Sequence, residues 1–304
     1  VRLVPLGTSS GQPTADRHVS GLAVDLGRRW VLVDCGEGTQ QQIMRSPLAF
    51  KRLDTILLTH LHGDHVLGLP GLLGTLGLNG RREPLRLVAP LGVRSWLDAM
   101  LALPILGVDF PLEVTELDPS DAEDGPVDLP SVDGWTLRAR LLRHRAPSFG
   151  YRFDEPDRAG EVDVAAARAL GIEPGPALGR LQRGETVDGV TPDQVVGPPR
   201  PGRSIVVTGD TGFTPATVAL AAHADVLVHE CTYAADDHDL CVQWTHSCSV
   251  DVAQVVVQAG VQAVVLQHFS ARYPEPERLA IEVRERVPAD VAVHLAVERE
   301  PITF

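Results

Sequence analysis

The stretch Leu57 to Gly71, LLTHLHGDHVLGLPG, constrains this chain more than any other. His60, His62, Asp64 and His65 fall together in an otherwise apolar run. Burying such groups without partners is costly, so the fold must offset their desolvation, and a metal ion is the first candidate. Arg52 to Leu58 reads as a short strand ending at Thr59, after which Gly63 turns the chain into an apolar, helix-like segment. The cluster therefore sits where a strand hands over to a helix.

That grammar returns three times. Trp135 to Leu142 is a strand-like run stopping just before His144, Ser204 to Val207 runs into Thr208-Gly209-Asp210, and Val261 to Leu266 into Gln267-His268-Phe269. Open sheets place their sites beyond strand ends, so four such deliveries can converge. The first third of the chain is β-rich as well, with Arg2 to Leu6, Leu22 to Leu26 and Trp30 to Asp34 as short strands.

Hydrolytic metal sites use imidazole and carboxylate ligands and keep a position open for water. The inventory His60, His62, Asp64, His65, His144, Asp210 and His268 suits two ions sharing one carboxylate. We assign His60, His62 and His144 to one ion, Asp64, His65 and His268 to the other, and Asp210 to both. Two ions roughly 3.5–4 Å apart stabilise both the attacking and the leaving oxygens of a phosphoryl displacement. Zinc is the expected metal, two per subunit, although the same donors accept manganese or iron.

Composition narrows the rest. A chain of 304 residues that is 44% hydrophobic and 22% charged is globular in character and long enough for a substantial core. No apolar run is long enough to span a bilayer and the first residues do not form a secretory signal, so a soluble, cytoplasmic protein is expected, with no membrane partner. Cys35, Cys231, Cys241 and Cys248 lack C-x-x-C spacing and read as core thiols. A formal net charge of −13 argues against broad, non-specific nucleic-acid binding, so a polyanionic substrate needs a local basic surface or metal ions.

Between Asp154 and Arg203 the texture becomes rich in glycine and proline, with one short helical pattern near Val162 to Leu170. It is expected to add little core and to be an inserted, flexible arm in a single domain of residues 1–304. Glu116 to Asp128 reads as a solvated acidic loop, and no internal repeat is present.

His60-Leu61-His62-Gly63-Asp64-His65 resembles the signature of the metallo-β-lactamase superfamily, which implies an α/β fold, the αββα four-layer sandwich, with two metal ions at its edge. That scaffold hosts many activities, so other motifs must choose among them. Gly7-Thr8-Ser9-Ser10-Gly11, Asp34-Cys35-Gly36-Glu37-Gly38-Thr39-Gln40, Thr208-Gly209-Asp210-Thr211, His229-Glu230-Cys231-Thr232, Thr245-His246-Ser247 and His268-Phe269-Ser270-Ala271-Arg272-Tyr273 together resemble the ribonuclease Z family. The resemblance implies removal of the 3′ trailer from precursor tRNA by a homodimeric enzyme, leaving a 3′-hydroxyl on the tRNA.

The chemistry fits those residues. Asp64 can orient the attacking water or take its proton, and His246, outside the ligand set, can protonate the departing ribose oxygen. Glu230 would hold that imidazole in the productive tautomer, as the resemblance also implies. Alternatively His246 caps the helix that follows, although Ser247 or Ser249 could serve there. Ser270 and Arg272 follow a ligand and are expected near the substrate. Gly7 to Gly11 is either a phosphate cradle or a structural turn. His18, His223, His229, His238 and His294 receive no role.

Pro174 to Gly184 resembles the family's tRNA-clamping exosite, in which Gly175 and Gly179 would let backbone amides approach phosphates that Arg180 and Arg183 contact. The family's N-terminal loop often reads P-x-K-x-R-N, whereas Pro13-Thr14-Ala15-Asp16-Arg17-His18 keeps only Pro13 and Arg17, which leaves the cut position and discrimination against CCA open. Two rival readings are a metal-dependent phosphodiesterase for small cyclic or RNA-fragment diesters, and an RNA-binding protein with structural metals.

Overall fold

In the computed structural model, which describes residues 1–103 and 107–304, the strand-like runs pair into two sheets. The first contains β1 (Arg2–Gly7), β2 (Gly21–Asp25), β3 (Trp30–Val33), β4 (Leu53–Leu57), β5 (Leu85–Pro90) and β6 (Leu112–Leu117). The second contains β7 (Val127–Val132), β8 (Trp135–Leu142), β9 (Ser148–Asp154), β10 (Ser204–Val207), β11 (Val226–Glu230), β12 (Ala263–Gln267) and β13 (Ala292–Leu295). β14 (Ile302–Thr303) returns to β1, so that the described residues form two seven-stranded sheets, β14-β1-β2-β3-β4-β5-β6 and β13-β12-β11-β10-β9-β8-β7.

Pairing is antiparallel from β14 to β3 and parallel from β3 to β6, and it is parallel again from β10 to β13. Parallel strands are covered on both faces, which is why β3 (WVLV) and β10 (SIVV) are buried throughout. Successive side chains go to opposite faces. Val31 and Val33 enter the core between the sheets with Phe149, Tyr151 and Phe153, while Trp30 and Leu32 pack outward beneath Leu69, Leu72, Leu73 and Leu76 of the helix Leu69–Leu78. Each fully buried leucine of this kind is worth about 2 kcal/mol.

Helices Pro215–Ala221, Ser249–Ala259 and Glu277–Arg284 cover the outer face of the second sheet. In Ser249–Ala259 the buried Val252, Val256 and Ala259 recur at helical spacing, and Gly260 at φ 64° ends the helix. The result is the expected order of helix, sheet, sheet, helix. Among the described residues no helix is long and apolar enough to cross a membrane.

The strand expectations hold to within a residue or two at their ends, but two other expectations need correction. Glu116 to Asp128 is not one solvated loop, because Glu116 lies in β6 and Asp128 in β7, with the buried Ala122 between them. The segment Asp154–Arg203 is a compact unit of its own, distinct from the unit made by Val1–Phe153 and Ser204–Phe304. Its helices Val164–Ala169, Pro176–Gln182 and Pro192–Val195 gather Ala167, Ile172, Leu181, Val187, Val190 and Val195 into a small core. Those apolar residues are too widely spaced to read as a periodic pattern, and proline at the start of two helices supplies order that composition hides. The unit's ends are clasped: the Glu155 N–H donates to the Arg203 carbonyl at 2.8 Å, and Arg203 Nε and Nη2 donate to the Glu155 carboxylate at 2.7 and 2.9 Å.

Candidate metal centre

Strand exits on both sheets deliver the polar residues. β4 leads through Thr59 to His60 and His62, and the short helix Gly63–Val66 then presents Asp64 and His65. β8, β10 and β12 lead to His144, Asp210 and His268. One ligand atom each from His60, His62, His144 and Asp210 lies within 4.8 Å of the others, and the same holds for Asp64, His65, Asp210 and His268. Asp210 belongs to both groups: Oδ2 is 3.6 Å from His60 Nε2, while Oδ1 is 3.4 Å from His65 Nε2 and 3.2 Å from His268 Nε2.

Hydrogen bonds behind the rings fix which nitrogen faces inward. Thr59 Oγ1 donates to Asp34 Oδ2 at 2.9 Å and so accepts from His60 Nδ1 at 3.1 Å, which leaves His60 Nε2 with its lone pair toward the site. The Thr245 carbonyl takes the His144 Nδ1 proton at 2.8 Å, and Asp34 takes that of His65 Nδ1 at 2.7 Å. Thr232 Oγ1 donates to Glu230 Oε2 at 2.5 Å and therefore accepts from His268 Nδ1 at 3.0 Å.

This arrangement suits bound cations. His60 Nε2 and His144 Nε2 lie 2.9 and 3.4 Å from His62 Nδ1, and His268 Nε2 is buried without a hydrogen-bond partner while facing two carboxylates. Converging lone pairs and carboxylate oxygens repel one another unless positive charge lies between them. Burial pushes the pKa values of His60, His62 and His144 down, which keeps these imidazoles neutral and able to bind a metal. Burial opposes ionisation of Asp210 as well, but the surrounding histidines hold its carboxyl well below the usual range.

Beside the centre, His246 Nδ1 lies 2.9 Å from Glu230 Oε1. Glu230 ends β11 and is fully buried, and its two oxygens also accept from the Thr211 and Ser247 amides and the Thr232 hydroxyl. Burial disfavours a charged His246, yet Glu230 outweighs it and raises the imidazole pKa to about 9. The helix cap considered for His246, Ser247 or Ser249 falls instead to Cys248, which forms a reciprocal capping box with Asp251.

The remaining candidates divide. Asp64 Oδ2 accepts the Gly11 N–H at 2.8 Å, which makes the Gly7 to Gly11 turn a support for a candidate ligand. Arg17 does not present a free guanidinium, because it donates to the carbonyls of Tyr273 and Ser270 at 2.9 and 3.2 Å and so braces the loop after His268. Arg272 is exposed, and its N–H meets Ser270 Oγ at 3.3 Å. In the separate unit, exposed Arg180 and Arg183 share Glu185 at 2.8 and 3.3 Å, with Gly175 preceding and Gly179 inside the helix that carries Arg180.

Asp34 is the residue whose role the sequence reading missed. It leaves β3 at φ 60°, and Thr245 and His268 take the same left-handed conformation at φ 58° and 60°. Non-glycine residues seldom adopt it, and such strain gathers at functional sites. The available signal was position, since Asp34 follows an apolar strand just as Asp210 and His268 do.

The four layers, with a histidine and carboxylate centre beyond the strand ends, define a metallo-β-lactamase-fold protein. Residues 29–162 match the beta-lactamase superfamily domain. Ribonuclease Z of Myxococcus xanthus (strain DK1622) is 41% identical over 299 residues, covering 96% of this chain and 95% of that protein. Ribonuclease Z of Synechococcus sp. (strain WH7803) is 44% identical over 276 residues, 88% of this chain and 84% of its own. The crystal structure of human tRNase Z, short form, superposes with a TM-score of 0.73 at 27% identity, covering 100% of this chain and 99% of that one. The chain belongs to the ribonuclease Z family.

Proposed function

We propose that this chain is a metal-dependent endoribonuclease that removes the 3′ trailer from precursor tRNA, leaving a 3′-hydroxyl on the tRNA and a 5′-phosphate on the trailer. The observation that carries the reading is the His246 and Glu230 pair standing beside seven converging donors in a member of this family.

His60, His62 and His144 would hold one ion and Asp64, His65 and His268 a second, with Asp210 shared. Two zinc ions per subunit are the proposed complement, and manganese suits the same donors. Bound ions supply Lewis-acid polarisation of water and of the scissile phosphate. The protein's own groups do the rest. Asp64, held by the Gly11 amide, orients the attacking water. As the bond from phosphorus to O3′ breaks, His246 protonates the departing oxygen from Nε2, and Glu230 keeps the other ring proton on Nδ1.

Ser270 and Arg272 reach the RNA near the cut, while Arg17 positions their loop. The family resemblance gives the unit Asp154–Arg203 the tRNA elbow, where phosphates would exchange with Glu185 for Arg180 and Arg183 and meet amides near Gly175 and Gly179. A homodimer and a cytoplasmic location belong to the same proposal.

The test compares turnover of precursor tRNA with that of a small phosphodiester, with and without a chelator. Chelator-sensitive preference for precursor tRNA is expected. Preference for the small diester would replace this reading with a phosphodiesterase, and RNA binding without turnover would replace it with a binding protein.

A further inference from the structure

A second group of metal-capable side chains lies outside the centre described above. His238 and Cys241 occupy one face of the helix His238–Trp244, three residues apart, and Cys248 and Asp251 stand three apart at the start of the helix Ser249–Ala259. Residues three apart on a helix lie side by side. The two pairs face each other across the loop that contains Thr245 and His246. Ligand atoms of His238, Cys248 and Asp251 lie within 4.8 Å of one another, and His238 Nε2 is 3.9 Å from Asp251 Oδ1. Cys241 is a free, buried thiol close enough to Cys248 for the two to influence each other's ionisation.

We propose that His238, Cys241, Cys248 and Asp251 bind one thiophilic divalent cation, zinc by its chemistry, in a structural site that braces the loop carrying His246.

The donor set is that of a closed tetrahedral zinc site, two sulfurs, one imidazole and one carboxylate. Zinc bonds of about 2.0–2.3 Å place neighbouring ligand atoms roughly 3.3–3.8 Å apart, so His238, Cys248 and Asp251 need only short side-chain movements, while Cys241 closes on the ion from the side of Cys248. Cys248 is prepared for the thiolate form. It caps an eleven-residue helix, and its sulfur accepts the Asp251 backbone N–H within the capping box. Asp251 uses Oδ2 to accept the Cys248 N–H at 3.0 Å, which leaves Oδ1 for the cation. A cavity of about 200 Å³ opens beside the group, lined by His238, Cys241 and Asp251 together with Arg143, Thr245 and His246. Binding would release the two thiol protons to solvent and oxidise nothing. Since Thr245 holds His144 and His246 holds Glu230, an ion joining the two helices would fix both ends of the loop that orients them.

The reduced, metal-free protein is loaded with cobalt(II) and its absorption recorded. Cobalt bound to thiolate gives a near-ultraviolet charge-transfer band, which the histidine and carboxylate centre cannot produce. The expected result is that band at saturating cobalt, with the amplitude of one thiolate-bound ion, at least halved in Cys248→Ser and in Cys241→Ser, absent when both are replaced, and weakened at least tenfold in affinity in the exposed His238→Ala. No charge-transfer band, a band undiminished in Cys248→Ser, or a Cys241 to Cys248 disulfide in place of metal uptake would overturn the proposal. Because the readout is spectroscopic, it stands or falls independently of tRNA cleavage.

Discussion

Asp34 Oδ2 lies 2.7 Å from His65 Nδ1, and the same carboxylate accepts from the Thr59 amide at 2.7 Å and its hydroxyl at 2.9 Å. One side chain at the exit of β3 therefore fixes the tautomer of His65 and, through Thr59, that of His60. Those two histidines sit in different donor groups, so Asp34 ties the groups together from behind.

Asp34→Asn should keep the fold and weaken divalent-metal binding by roughly 10–100-fold, the usual cost of losing the group behind a ligand. Competition against a chromophoric chelator reads this directly. Unchanged affinity would show that Asp34 is only a structural hydrogen-bond acceptor.

His246→Ala should lower kcat on precursor tRNA by about 10²-fold or more, while metal content and KM stay near those of the unsubstituted protein. Glu230→Gln should lower kcat as well, because a neutral amide no longer stabilises the protonated His246 imidazole that donates the proton. Single-turnover cleavage with metal content measured on the same samples distinguishes this from metal loss. Near-normal turnover in the metal-loaded alanine variant would remove His246 from the chemistry.

Much of this was legible in the sequence because the candidate metal ligands come in a dense cluster, His60 to His65, and because apolar strands announce where His144, Asp210 and His268 emerge. Asp34 was harder to assign. It is a lone carboxylate in a glycine-rich turn, and only the contact with His65, far along the chain, gives it a role. The core of the segment Asp154–Arg203 was hidden for another reason: its apolar residues are sparse and belong to helices too short to show a period. The cysteines are buried free thiols, as their spacing suggested, but that His238, Cys248 and Asp251 stand together only the helix geometry makes visible.

Acid should loosen the unit Asp154–Arg203. Hydrogen bonds from Arg203 lower the Glu155 pKa from 4.5 to about 2. A depressed carboxyl contributes stability above its unfolded value, so the contribution is present above about pH 4.5 and is lost as pH falls toward 2. After solvent screening it is about 1 kcal/mol. Hydrogen exchange across residues 154–203, corrected for intrinsic rates, should show protection falling in that window, and Glu155→Gln should lower protection at neutral pH and flatten the response. Protection that falls equally in both proteins would assign the acid effect to other groups.

Deleting residues 154–201 should leave hydrolysis of a small phosphodiester intact and weaken binding of precursor tRNA. The milder Arg180→Ala/Arg183→Ala variant should reduce the salt dependence of binding by about two phosphate contacts. Unchanged tRNA affinity in the deletion would rule out the clamp.

The most direct measurement of the central claim is to incubate the protein with a precursor tRNA carrying a 3′ trailer and no CCA, with zinc or manganese present, and to map the ends of the products. A discrete cut near the discriminator base, with a 3′-hydroxyl on the tRNA, is the predicted result. An intact precursor in a sample confirmed to hold two metals in the histidine and aspartate centre would contradict it.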